Sequence, residues 1–243
     1  MAGKEAEFEQ RVGDRSWYHT IELAPGLTTP GWFDLRPFVD RYGLPESMEG
    51  MRALDVGTWD GFWAFEMERR GAEVVALDLD DEEALDWPPR RRPANYPAAA
   101  RGDGFHLAAE ILGSSVERVV CSVYDATPED LGQFDLVFCG SVLVHLRDQL
   151  LAFERIANLC RGTFISAEAY DRPTSLLPFP VSRYFADRDS AVVFWLPSAR
   201  TWGRMLWTAG FDEVRRQSRF IMRSQDGIKI PHVVHHAFKG SNA

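Results

Sequence analysis

From residue 51 onward, short apolar β-like runs alternate with amphipathic helical stretches, and this alternation constrains the fold more than anything else in the chain. It is the pattern of parallel βαβ units, because two parallel strands need a crossover and an amphipathic helix supplies one. Strand-like runs fall at 51–56, 73–77, 116–122, 134–139 and 163–169. Helical runs fall at 62–70 and 105–112, from a cap at Asp148 to Cys160, and from a cap at Ser198 to Gly210. Two further runs, 211–222 and 228–238, face each other across Ser224-Gln225-Asp226-Gly227, where Asp-Gly marks a hairpin turn. Right-handed crossovers then give an open Rossmann-like α/β sheet of seven mostly parallel strands, closed by a C-terminal antiparallel hairpin. Ligands of such a sheet bind beyond the carboxyl ends of its strands.

Residues 1–50 read differently and form an N-terminal cap segment, with residues 51–243 as the main domain. The cap holds Trp17, Tyr18, His19, Trp32 and Phe33 among the turns Pro25-Gly26 and Pro30-Gly31, and a short helix over 35–42 ends at Gly43. Two substrate-side insertions stand out, at about 82–103 and 171–197. Apolar residues make up 45% of the chain, enough for a sizeable core, yet no run is long enough to span a bilayer. The charged N-terminus has no apolar export signal, so a cytoplasmic protein is expected. Cys121, Cys139 and Cys160 show no ligand or disulfide spacing and read as free thiols. A net charge of −9 argues against a nucleic-acid partner, whose phosphates ask for a basic face. Arg90, Arg91, Arg92 and Arg101 lie among prolines and read as a solvated loop.

Four segments carry the chemistry. In Leu54-Asp55-Val56-Gly57-Thr58-Trp59-Asp60-Gly61 a strand ends, the chain turns on Gly57, and a helix starts at Gly61. Glycine lets the backbone approach a ligand, and Asp55 with the turn amides can hold the ammonium and carboxylate of an amino acid. Asp78, followed by Leu79, ends the second strand about twenty residues on, where an acid can accept hydrogen bonds from a ribose diol. Asp80 beside it reads as solvated. Tyr124-Asp125-Ala126 follows the third strand at adenine level, and Asp125 reads equally well as a helix cap before Pro128. Gly140 and Ser141 end the fourth strand and His145 follows, either as a general base or as a core histidine. His232, His235 and His236 alternate along one strand, do not converge on a metal, and read as structural.

From Trp17 to Phe238 the chain resembles class I S-adenosylmethionine (SAM) methyltransferases of the group that includes the bacterial tRNA wobble-uridine carboxymethyltransferases. The resemblance rests on Asp55 to Gly61, on Phe134 to His145, and on Phe194-Trp195-Leu196-Pro197-Ser198 running into Trp202 and Gly210-Phe211. It implies a Rossmann-like class I fold and SAM as cofactor, bound by Asp55, Gly57, Thr58, Trp59, Gly61, Asp78, Leu79, Tyr124, Asp125, Ala126, Gly140 and Ser141. Trp59 replaces the middle glycine of the family's D-x-G-x-G-x-G, which also breaks the dinucleotide fingerprint. The family's tRNA enzymes carry a tyrosine where this chain has Val144, and a lysine for which it has no clear match. Both departures point to plain SAM and methyl transfer to an O or N of a small-molecule acceptor, with tRNA methyl- or carboxymethyl transfer as the alternative. His145, His19 and Tyr184 are the expected catalytic residues, under an aromatic cap that includes Trp17, Phe185 and Trp195. No metal is expected, and a homodimer stays open.

Overall fold

The computed structural model describes residues 2–90, 101–186 and 192–240. Seven strands form the central sheet: β1 (Arg52–Val56), β2 (Glu73–Asp78), β3 (Glu117–Val120), β4 (Phe134–Gly140), β5 (Cys160–Ala169), β6 (Glu213–Arg223) and β7 (Lys229–Phe238). Their spatial order is β6-β7-β5-β4-β1-β2-β3. The five strands from β5 to β3 run parallel, while β7 is antiparallel to both β5 and β6. β1 and β4 lie at the centre with both faces covered, so they are buried along most of their length without alternation.

Five main helices cover the sheet: α1 (Ala2–Gly13), α2 (Phe62–Arg69), α3 (Asp103–Leu112), α4 (Gln149–Leu159) and α5 (Ala199–Thr208). Val12 of α1, Trp63 and Met67 of α2 and Phe105 of α3 join Phe138 and Ile165 in one apolar layer. Phe153 and Ile156 of α4 and Trp202 and Leu206 of α5 join Val137 and Phe164 in the other. Asp148 caps α4 by accepting from the amide of Leu151, and Ser198 caps α5 through Thr201.

The segment ahead of β1 is more structured than its charge suggested. Its first residues form α1, which Arg11 ties to α3 through Glu110 at 2.6 and 3.1 Å. Strands Trp17–His19 and Gly31–Phe33 then pair in parallel. The short helix Val39–Tyr42 ends at Gly43, whose φ of 71° suits glycine. In the later insertion, Ser182–Tyr184 pairs antiparallel with Trp195–Pro197. Residues 91–100, including Arg91 and Arg92, lie outside the described residues. Several boundaries moved: β3 is shorter than expected, β5 begins three residues earlier, β6 begins two residues later, and α3 begins at Asp103. The Ser224–Gly227 turn closes the final hairpin as expected.

Candidate active site

β1 emerges at the sheet centre between β4 and β2, and the loop that follows is held on both sides. Gly57 has φ 77°, and its amide donates to the Leu77 carbonyl at 2.7 Å. A Cβ there would lie 2.2 Å from Val142 Cγ2, so the loops after β1 and β4 pack against each other only because position 57 is glycine. Gly61, φ 91°, starts α2 against Phe65. Trp59 adopts φ 49° without being glycine, and its amide donates to Asp78 Oδ2 at 2.7 Å. That bond joins the first two sequence segments. Left-handed non-glycine residues concentrate where a site needs them, and the second among the described residues, Ser141 with φ 59°, follows β4 beside this loop.

Asp55 is buried, and its Oδ2 has no hydrogen-bond partner. Burial pushes its carboxyl up to about 7, against the pull of Thr58 and the Ala64 amide. A buried acid with an open oxygen is poised for a cationic partner. Asp78 Oδ1 accepts from the Leu79 amide at 2.7 Å and from Arg101 Nη2 at 3.1 Å. Arg101 therefore does not belong to a solvated loop. Its side chain is 8% exposed, pairs also with Glu82, and lies 4.3 Å over the Trp59 ring. Asp80 pairs with Arg118 at 2.7 Å while remaining half-exposed.

After β3, the amides of Asp125 and Ala126 both donate to the Ser122 carbonyl. Tyr124 Oη donates to Asp86 at 2.6 Å and accepts from the Asp148 amide at 3.0 Å. The cap before Pro128 is Thr127, not Asp125, which stays exposed. This loop reaches the β2 tip through the Cys121 amide, which donates to the Asp78 carbonyl at 3.0 Å.

The cap closes over the first loop through Asp60. Its Oδ2 accepts from the amides of Tyr18 at 2.6 Å and His19 at 2.9 Å. Burial raises Asp60 to about 6, those two amides opposing it. Beneath this latch lies a cavity of about 20 Å³, bordered by Tyr18, His19, Tyr42, Trp63, Gly140 and Ser141. His19 is buried, its Nδ1 has no partner, and burial drops it to about 3, so the ring is neutral. The other two expected catalytic residues do not border this cavity. His145 sits in the turn after β4, where its Nδ1 bonds to the Val192 carbonyl. Tyr184 is 50% exposed on the outer hairpin, ring to ring with Trp195 at 4.8 Å. The aromatic cap expected from sequence is thus two groups, with Trp17 and His19 over the sheet and Tyr184 and Trp195 on the hairpin.

Sequence reasoning missed three contributors. His232 does more than fill the core, since its Nε2 lies 2.8 Å from Ser141 Oγ. Glu168, on β5, accepts from the amides of Val142 and Leu143 and holds the turn after β4. Asp60 supplies the latch. Each lies at a strand or loop position with no spacing signature, and the pairing across β7 and β5 is what brings His232 and Glu168 in. The three cysteines are free thiols. Among the described residues no group of His, Cys, Asp or Glu could hold a metal, and no helix is long and apolar enough to cross a membrane.

Residues 34–216 match the methyltransferase-domain family. The chain belongs to that family. Among its relatives is a tRNA U34 carboxymethyltransferase of Desulforapulum autotrophicum, 27% identical over 72% of this chain and 49% of the relative. Another is a ubiquinone biosynthesis O-methyltransferase of Alkalilimnicola ehrlichii, 26% identical over 74% of this chain and 65% of the relative. The methyltransferase chain thus spans about half to two thirds of the length of these relatives. A similar fold is that of the N-terminal domain of EvdMO1, solved with S-adenosylhomocysteine (SAH) and D-fucose, with TM-score 0.67 and 18% identity over 97% of both chains. The fold is that of class I methyltransferases. The site fits SAM as cofactor: Asp55 keeps a buried open oxygen, and Asp78 stands at the β2 tip.

Proposed function

We propose that this methyltransferase moves a methyl group from SAM to an oxygen or nitrogen of a small-molecule acceptor that enters under the cap. The observation that carries the proposal is the cavity between His19 and Ser141, at the carboxyl end of β4 and latched by Asp60 to the Gly57–Gly61 loop. Asp55, Gly57, Thr58 and Trp59 would hold the methionine end of the cofactor, with Gly140 alongside. Asp78 and Leu79 would hold the ribose, and Tyr124, Asp125 and Ala126 the adenine. SAM supplies an electrophilic methyl group on a sulfonium.

The chain's own residues then align, shield and deprotonate. The acceptor lone pair forms the new bond to the methyl carbon, the carbon–sulfur bond breaks, and the acceptor loses its proton. His19 Nδ1 is placed to receive that proton. His145, held by the Val192 carbonyl, does not border the cavity and takes no part in the transfer. The −9 charge supports a small molecule over tRNA, and three free thiols suit a reducing cytoplasm.

The test is transfer of label from methyl-labelled SAM. Label in phenolic, sugar or amine acceptors but not in bulk tRNA is expected. Label confined to tRNA would transfer the assignment to the alternative.

A further inference from the structure

Ser141 and His232 do something that neither the cofactor nor the protein core requires. His232 is 1% exposed, and its Nδ1 lies 3.1 Å from the Ile230 carbonyl. A carbonyl only accepts, so Nδ1 carries the proton. Burial lowers His232 to about 4, so the ring holds one proton at neutral pH and Nε2 is bare. Ser141 must then donate its hydroxyl proton to His232 Nε2 across 2.8 Å. The serine oxygen is left with lone pairs only. Ser141 also sits at φ 59°, a conformation that strains a non-glycine residue and that glycine would take freely.

The same cavity wall carries a second acceptor, His19 Nδ1, which has no partner. Among the described residues that border the cavity, none is Lys, Arg, Asp or Glu. Two acids stand behind it, both raised by burial. Asp60 holds the amide of His19, and Glu168 holds the amide that follows Ser141. The remaining wall is largely apolar, among it Phe33, Trp63 and Met222, with the phenol side chains of Tyr18 and Tyr42 beside them.

We propose that Ser141, oriented by His232, and His19 form a paired hydrogen-bond acceptor site that selects an uncharged ring bearing a hydroxyl and rejects carboxylates and phosphates. This deepens the methyltransferase reading and rests on it. Two acceptors facing one space match a donor such as a hydroxyl, while an anion would lose its water there with no cation to pair it. The space of about 20 Å³ takes in the hydroxyl end. Met222, with three rotatable bonds, is the wall that yields to the ring behind it. His232 acts here as a positioning residue, because its contact is with Ser141.

The experiment uses phenol and benzoate as probes, ring against ring, titrated by NMR into the protein saturated with SAH. SAH affinity is measured separately by calorimetry. The variants are Ser141→Gly, which keeps the backbone conformation and removes the hydroxyl, His232→Leu, which removes the partner, and His232→Gln, whose amide oxygen can take the serine proton. Wild type should bind phenol at least about tenfold more tightly than benzoate. Ser141→Gly and His232→Leu should weaken phenol about three- to tenfold, the range for one neutral hydrogen bond. His232→Gln should restore phenol to within about twofold, and SAH affinity should change less than about twofold throughout. Equal binding of benzoate, no phenol binding to the SAH complex, or an unchanged Ser141→Gly variant would overturn the proposal. So would a parallel loss of SAH affinity in Ser141→Gly, which would assign the pair to the cofactor. Failure of wild type to bind SAH would instead contradict the methyltransferase reading itself.

Discussion

Replacing Glu168 with Gln tests how the turn after β4 is held. Glu168 is 1% exposed, its Oε1 accepts from Val142 at 3.2 Å and Leu143 at 3.1 Å, and its Oε2 has no partner. Burial raises its carboxyl from 4.5 to about 8, with those amides pulling the other way. Above pH 4.5 the unfolded chain releases this proton while the folded chain keeps it. The unfolded state therefore binds fewer protons, and stability from this group is full below 4.5 and is lost as pH rises toward 8. Each pH unit in that window costs about 1.4 kcal/mol. Asp55 and Asp60, raised by burial to about 7 and 6, push in the same direction, so the wild-type decline alone does not isolate Glu168. Gln keeps an acceptor oxygen for the two amides and does not titrate. Urea denaturation of both proteins, followed by tryptophan fluorescence from pH 5 to 9, reads the difference. The stability gap in favour of Glu168→Gln should widen by about 2–3 kcal/mol between pH 6 and pH 8. Parallel stability curves would refute the assignment of a buried, protonated Glu168.

Gly57→Ala should destabilise the fold by about 2–4 kcal/mol through the clash with Val142 and the positive φ; adding Val142→Ala should recover the clash share, whereas strictly additive effects in denaturation would remove the claimed contact. Asp78→Ala should raise the SAM dissociation constant about ten- to a hundredfold, since it removes a charged acceptor at the β2 tip, and calorimetry showing wild-type affinity would exclude Asp78 from the cofactor site. His19→Ala should lower kcat by about 10²-fold or more in a folded protein. His145→Ala should change kcat by less than about threefold, and the reverse ranking in steady-state assays would return the base to His145.

The alternation of strands and helices was legible because each crossover needs an amphipathic helix and each buried strand an apolar run. The glycines at 57 and 61 and the acid at 78 were legible because a close backbone approach and a strand-tip acid each demand a residue type at a set place. α1 was not, since its charged face hides an apolar contact made by few residues, such as Val12. Arg101 looked solvated among prolines, yet it pairs with Asp78 and Glu82, 23 and 19 residues away in the chain. His232 looked structural because nothing local links it to Ser141, 91 residues earlier. The split of His19 from His145 depended on which way the cap closes, and that is set by Asp60 reaching back some forty positions, a contact with no sequence periodicity.

Calorimetric titration of the protein with SAM, and in parallel with a nicotinamide dinucleotide, tests the central claim most directly. The account predicts saturable one-to-one binding of SAM and no heat with the dinucleotide, because the loop at Gly57–Gly61 lacks the glycine pattern that cradles a pyrophosphate. Tight dinucleotide binding with no SAM signal would contradict it.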